Sequence, residues 1–284
     1  MENQKVWFVT GASQGLGLVL VQKLLSKGFK VAATSRRIAD LQNAISTKTE
    51  SFLPLQVSLT DDASVQEAIE KTVATFGKLD VIVNNAGYGL MGSIEELTDA
   101  ESRANFDVNV FGTLNVIRKA MPILRQQKSG HIFNISSIGG FVGDFAGFAI
   151  YCATKFAVNG LTESLAAEIR SFGVTATVVE PGYFRTNFLT SGSIGVPANE
   201  IEEYKEVREI QKAHQDDING NQPGDPEKAA EALIRVAGEK NPPLNLFLGQ
   251  DAYDLAHAKI ASITKEIEEW KAITISTGFE TQNA

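Results

Sequence analysis

The chain predicts a doubly wound α/β fold, a parallel sheet of about seven strands flanked by helices, on three observations. Short β-branched and aromatic runs recur along it, helical patterns fill the gaps between them, and a glycine-rich turn joins the first run to the first helix. The runs are nearly continuous in apolar residues, which suits strands covered on both faces. They are Lys5 to Val9, Phe29 to Ala33, Phe52 to Val57, Asp80 to Val83, His131 to Ser136 and Val174 to Val179, with Leu244 to Leu248 as a candidate seventh. After the first run Leu16, Val19, Leu20, Lys23 and Leu24 repeat at helical spacing. Val65, Ala68, Ile69 and Val73 do so after the third, and Phe106, Val110, Leu114 and Ile117 after the fourth. Further helices are expected from Tyr151 to about Ser171, from Ala229 to Ala237 and over about residues 251–273. Strand, helix, strand at this spacing means parallel pairing through right-handed crossovers.

The 284 residues, 43% hydrophobic, carry no repeat or long linker, so residues 1–284 read as one domain. The least regular part, about 187–225, exceeds an ordinary connection and is expected to be a mobile lid or substrate loop. Within it Glu200 to His214 is a charged helix-like stretch, of which the run Glu202 to Lys212 reads as a solvated face. A net charge of −8 argues against broad binding of nucleic acid or an anionic membrane. One cysteine, Cys152, excludes an intrachain disulfide and reads as a small packed residue. His131, His214 and His257 are scattered, so no metal site is expected and all three read as structural or solvated. Apolar runs are strand-sized, and only Met1 to Gln4 precede the first strand, which predicts no membrane span, no signal peptide and a cytoplasmic location.

The turn reads Thr10-Gly11-Ala12-Ser13-Gln14-Gly15-Leu16-Gly17. Gly11 permits a tight turn, Gly15 lets backbone approach a pyrophosphate, and Gly17 lets the helix sit close on the sheet. The helix N-terminus offers free N–H groups to the phosphates. This is a Rossmann arrangement. At the end of the second strand, where an acid would bond a ribose 2′-hydroxyl, the chain reads Ala33-Thr34-Ser35-Arg36-Arg37. Two guanidiniums and a hydroxyl there predict a 2′-phosphate, hence NADP(H); the competing reading is a solvated basic pair.

Tyr151 and Lys155 stand four apart on one helix face, so their tips can converge. A free phenol, with a pKa of about 10, is a weak proton donor or acceptor at neutral pH. An ammonium about 4 Å away at an effective dielectric of about 20 interacts by roughly 4 kcal/mol, an upper bound of almost three pKa units. Fourteen residues before Tyr151, Ser137 ends the fifth strand in Asn134-Ile135-Ser136-Ser137-Ile138-Gly139-Gly140, where ligands of open α/β sheets bind. Asn84-Asn85-Ala86-Gly87 closes the fourth strand in the same way.

With these motifs the sequence resembles the short-chain dehydrogenase/reductase family, in its single-domain branch, over about Lys5 to Gly249. The resemblance implies hydride transfer on a nicotinamide, with Tyr151 as acid/base, Ser137 polarising the carbonyl, and Lys155 lowering the tyrosine pKa and holding the nicotinamide ribose. Asn109 is expected to kink its helix and hold a water that relays protons from Lys155. Gly11, Ser13, Gln14, Gly15, Leu16, Gly17, Ser35, Arg36, Arg37, Asn85, Ala86 and Gly87 would face the cofactor, and Pro181, Gly182, Phe184 and Thr186 its carboxamide. Two features depart from the pattern. The serine-to-tyrosine interval is one residue longer than usual, and Ser58 stands where an aspartate near the adenine is usual, so contact there falls to Ser58 or Leu59.

A substrate wall of Tyr88, Leu90, Phe141, Val142, Phe145, Tyr183, Phe184 and Phe188 is expected, suited to a small apolar ketone or secondary alcohol. Several of these aromatics could equally pack the loop. Ala157, Leu161 and Leu165 form a stripe that would serve a homodimer or homotetramer, or else core packing. The rival function is a nucleotide-sensing regulatory protein without turnover; a nucleotide-sugar epimerase is disfavoured by the short C-terminal region and the glycine spacing.

Overall fold

The computed structural model describes residues 5–46, 49–190 and 193–279. Strands β1 (Val6–Val9), β2 (Lys30–Ser35), β3 (Phe52–Gln56) and β4 (Val81–Asn84) alternate with helices α1 (Gly15–Ser26), α2 (Ile38–Ala44) and α3 (Asp62–Phe76). A short strand β5 (Gly89–Leu90) precedes α4 (Asp99–Phe106), a π-helical turn (Asp107–Phe111) and α5 (Gly112–Gln127). Then come β6 (Gly130–Ile135), α6 (Ala149–Ile169), β7 (Val174–Pro181), β8 (Ile194–Gly195), α7 (Lys205–Lys212), a second π-turn (Ala213–Ile218), α8 (Pro226–Val236), β9 (Asn245–Leu248), α9 (Gln250–Glu269) and α10 (Lys271–Ile275). The main sheet has seven strands, all parallel, in the order β3-β2-β1-β4-β6-β7-β9, as the sequence predicts.

Strand alternation divides the core in two. Phe8, Ala32, Ile82 and Ile132 face α3, α5 and α6, while their neighbours Trp7, Val31, Val83 and Phe133 face α1 and α8. Burial of each such large apolar side chain contributes about 1.5–3 kcal/mol. Helix ends follow local chemistry: Asp61 accepts from the Ala63 and Ser64 amides at the start of α3, and Thr98 with Glu101 forms a capping box on α4.

The least regular part of the chain, residues 187–225, holds β8, which pairs with β5, together with α7 in the expected helix-like stretch and the second π-turn. Arg208 of α7, in the run expected to be a solvated face, bonds the buried Glu96 carboxylate at 2.7 Å, and Glu96 also accepts from the Ile201 amide at 2.8 Å. Of the stripe Ala157, Leu161 and Leu165, Leu165 lies in the core and Leu161 packs against it, which follows the core-packing reading; Phe156 is the exposed large apolar residue of that helix.

Candidate active site

The strand order reverses between β1 and β4, and the segments after both open at the carboxyl edge of the sheet. Gly11 and Gly15 have φ of +63° and +59°, values that favour glycine. A Cβ on Gly11 would stand 2.7 Å from Ala86 Cα, so the two turns touch. Thr10 Oγ1 accepts from the Asn85 and Ala86 amides, both at 3.0 Å, and Asn85 Nδ2 donates to the carbonyls of Thr10 and Gly11 at 2.9 and 3.0 Å. Gly17 serves this brace too, because a Cβ there would run into Asn85 Nδ2 and stand 2.7 Å from the Gly11 carbonyl oxygen.

From this turn a cavity of about 720 Å³ runs to the mouth of β6 and β7. Gly11, Ser13, Gln14, Gly15, Leu16, Ser35, Arg36, Ser58, Leu59, Asn85, Ala86 and Gly87 line one part, and Ser137, Tyr151, Lys155, Pro181, Gly182, Phe184 and Thr186 another. Gly17, Arg37 and Asn109 do not line it. Arg37 turns its Nε to Asp40 Oδ2 at 2.7 Å on the exposed surface, leaving Arg36, with Ser35 and Ser13, at the end of β2. The Leu59 carbonyl is already occupied, accepting from Asn115 Nδ2 at 2.9 Å. Tyr88, Phe145, Tyr183, Phe184 and Phe188 line the apolar part, whereas Leu90, Phe141 and Val142 do not: Leu90 is held in β5, and Phe141 and Val142 pack against the base of α9.

At the inner end the two serines separate. Ser136 Oγ is buried and donates to the Lys155 carbonyl at 3.2 Å, while Ser137 accepts from the Gly139 amide at 3.0 Å and lies on the Tyr151 side, where its hydroxyl favours the ionised phenol. Burial pushes the Tyr151 phenol up from its ordinary value, with the Ser137 hydroxyl opposing. Lys155 Nζ lies 5.7 Å from the Tyr151 ring centroid and donates to the Ile135 carbonyl at 2.9 Å. Burial is the larger influence on both groups: it raises the phenol and lowers Lys155 to about 8.

Asn109 lies in the first π-turn, a widened turn at the place where the kink is expected. Its Oδ1 accepts from the Tyr88 amide at 3.0 Å and its Nδ2 donates to the Tyr88 carbonyl and Thr154 Oγ1, both at 3.1 Å. The side chain thus ties the β4 loop to α6 rather than facing the cavity. Two residues not singled out as site residues on sequence reach it: His214, 7% exposed, which reads as structural or solvated, and Gln222, 1% exposed. His214 Nε2 lies 2.8 Å from the Tyr183 hydroxyl, a pairing across 31 positions that no local pattern announces.

The residues present fit a dinucleotide. The N-terminal turn of α1 carries no side-chain cap and no acid, which leaves its N–H groups for a phosphate, and the space above Gly15 is free except for Thr186 Cβ at 3.8 Å from a built Cβ. No cluster of three or more His, Cys, Asp or Glu able to hold a metal, and no helix able to cross a membrane, occurs among the described residues.

Parallel sheet, switch-point cavity and glycine turn define a Rossmann-type oxidoreductase scaffold. The short chain dehydrogenase profile matches residues 5–193. Oxidoreductase BOA17 of Botryotinia fuckeliana is 36% identical over 274 residues, 96% of this chain and 99% of that one. A 3-ketodihydrosphingosine reductase of Bacteroides thetaiotaomicron is 33% identical over 248 residues, 86% and 88% of the two chains. A short-chain dehydrogenase from Streptomyces avermitilis superposes with a TM-score of 0.88 at 36% identity, covering 96% of this chain and 100% of that one. The chain belongs to the short-chain dehydrogenase/reductase family, whose members act on CH–OH and C=O groups. Two further proteins of this fold, 23% and 28% identical, were solved with NADH and with NADP respectively.

Proposed function

We propose that the chain is an NADP(H)-dependent oxidoreductase interconverting a small apolar ketone and its secondary alcohol, with Tyr151 as general acid/base. The observation that carries this reading is the meeting of Ser137, Tyr151 and Lys155 in one cavity with the glycine turn and Arg36. When bound, NADP(H) supplies or accepts the hydride at the carbonyl carbon. The α1 N-terminus and Gly11 to Gly15 hold the pyrophosphate, and Ser13, Ser35 and Arg36 hold the 2′-phosphate. Lys155, fixed through the Ile135 carbonyl, keeps two further N–H donors for the ribose. Ser137 fixes the substrate oxygen beside Tyr151. A phenol held protonated by burial is suited to donating a proton to that oxygen during reduction. Asn109 and Asn85 act at one remove, holding the loops that carry Gly87 and the glycine turn.

The same reading takes residues 1–284 as one working unit, with a substrate loop at about 187–225 and a C-terminal helix at about 251–273. It places the protein in the cytoplasm as a homodimer or homotetramer. Support comes from the unpaired, buried thiol of Cys152, which suits a reducing compartment, and from Phe111 and Phe156, 49% and 45% exposed, which suit a contact between copies.

The test is Tyr151→Phe, assayed with a ketone panel by loss of NADPH absorbance. Turnover is expected to fall by about 10²–10⁴-fold while NADPH affinity, read by fluorescence titration, changes little. Turnover equal to that of the unaltered protein overturns the assignment.

A further inference from the structure

The second π-turn brings His214 against the wall opposite the Ser137 side. Its Nδ1 lies 2.8 Å from the Ile210 carbonyl, which can only accept, so Nδ1 carries the hydrogen. Burial holds this imidazole below its ordinary pKa, so the ring is neutral at neutral pH and Nε2 bears a lone pair. Nε2 therefore accepts the Tyr183 O–H at 2.8 Å. With its only hydrogen committed, the Tyr183 oxygen has nothing left to offer but lone pairs. Phe148 stands between this pair and the reacting phenol, its ring centroid 5.0 Å from that of His214 and 6.2 Å from that of Tyr151. The surroundings are otherwise apolar, with Phe145, Phe188 and Leu189 packed alongside. Gln222 lines the same cavity with both polar atoms of its amide unpartnered, so the polar capacity of this wall exceeds what the described residues satisfy.

We propose that Tyr183, oriented by His214, is a specificity-determining acceptor for a second hydroxyl on the substrate, a few carbons from the reacting carbonyl. The substrate class is thus a hydroxy ketone or the corresponding diol. An ether at the same place would set lone pair against lone pair and leave a buried acceptor unsatisfied, the situation that binding sites discriminate against most strongly. The inference rests on the proposed carbonyl chemistry for the identity of the other end of the substrate, and the experiment separates the two.

Three probes suffice: a six-carbon methyl ketone, its ω-hydroxy derivative and the methyl ether of that derivative. Dissociation constants are measured calorimetrically for each on the NADP+-saturated protein, where no reduction occurs, and kcat/KM is measured separately with NADPH. The hydroxy ketone is expected to bind about tenfold or more tightly than the ether. Tyr183→Phe brings that ratio to about one. His214→Phe, which frees the Tyr183 O–H to donate into the cavity, shifts it towards the ether. A ratio within about twofold in the unaltered protein, a ratio that survives Tyr183→Phe, or no measurable binding of any probe overturns the subsite. Discrimination in binding without reduction of any probe keeps the subsite and removes the reductase reading instead; reduction without discrimination does the reverse.

Discussion

Arg36 and Arg37 are neighbours of identical chemistry, and only the folded chain separates them. Arg37 spends its guanidinium on Asp40, an exposed pair of small energetic value, whereas Arg36 lines the cavity beside Ser13 and Ser35. Both side chains are exposed, and of the two it is Arg37 that is tied to an acid. If Arg36 holds a 2′-phosphate, a charge-assisted contact of roughly 1.5–3 kcal/mol is at stake. Arg36→Ala is then expected to lower the NADPH-to-NADH ratio of kcat/KM by about 10- to 100-fold, and Arg37→Ala by less than about threefold. Steady-state kinetics with both cofactors checks this, and equal effects of the two substitutions would refute the separation. His214 shows the same limit of sequence reading: its charged neighbours suggest solvent, yet widening of one helical turn delivers it to a tyrosine on another segment.

Among the elements, the seven sheet strands were legible because a parallel sheet covered on both faces requires continuous apolar runs. The first π-turn was not. Phe106, Val110, Leu114 and Ile117 read as one helix, since spacings of four, four and three residues do not register one widened turn. Helix α7 was legible as a charged helical stretch, but its attachment was not, because that comes from an ion pair to Glu96 more than a hundred positions away. The glycine turn, Ser137 and Tyr151 with Lys155 were legible as motifs, but the aim of each side chain was not. Helix α9 divides sharply. Its first turns are fixed, with Asp251 accepting from the Tyr183 amide at 2.7 Å and Ala252 and Ala256 packed on Ile138 and Val142, while residues 258–269 are largely exposed. A chain ending at Ala258 is therefore expected to keep its Tm within about 2 °C and to retain turnover. Ending at Gly249 removes the Tyr183 anchor, and turnover and Tm are both expected to fall. Calorimetry with the ketone assay reads both, and a large loss from the shorter deletion would show that the exposed part is needed for folding.

At the scale of the whole molecule, two buried titrating groups tilt stability in opposite senses. Glu180, fully buried at the carboxyl end of β7, accepts from Asn159 Nδ2 at 2.8 Å through one oxygen and has no partner among the described residues for the other. Burial raises it to about 7 from an ordinary value of 4.5. Between those values the unfolded chain releases a proton that the folded one keeps, so this group makes stability fall as pH rises. His131, buried on β6 with Nδ1 2.6 Å from Thr175 Oγ1, is pushed down to about 3 from 6.5. There the unfolded chain binds a proton that the folded one refuses, so stability rises with pH over 3 to 6.5. The two slopes oppose each other between 4.5 and 6.5, and from 6.5 to about 7 only Glu180 of the two still contributes. Glu180→Gln retains an acceptor for Asn159 and removes the ionisation. Its Tm is expected to match the unaltered protein near pH 4.5 and to exceed it by several degrees at about pH 8, moving the stability optimum upward. Melting curves across this range decide the matter, and parallel profiles for the two proteins would mean that Glu180 ionises at the same pH folded and unfolded.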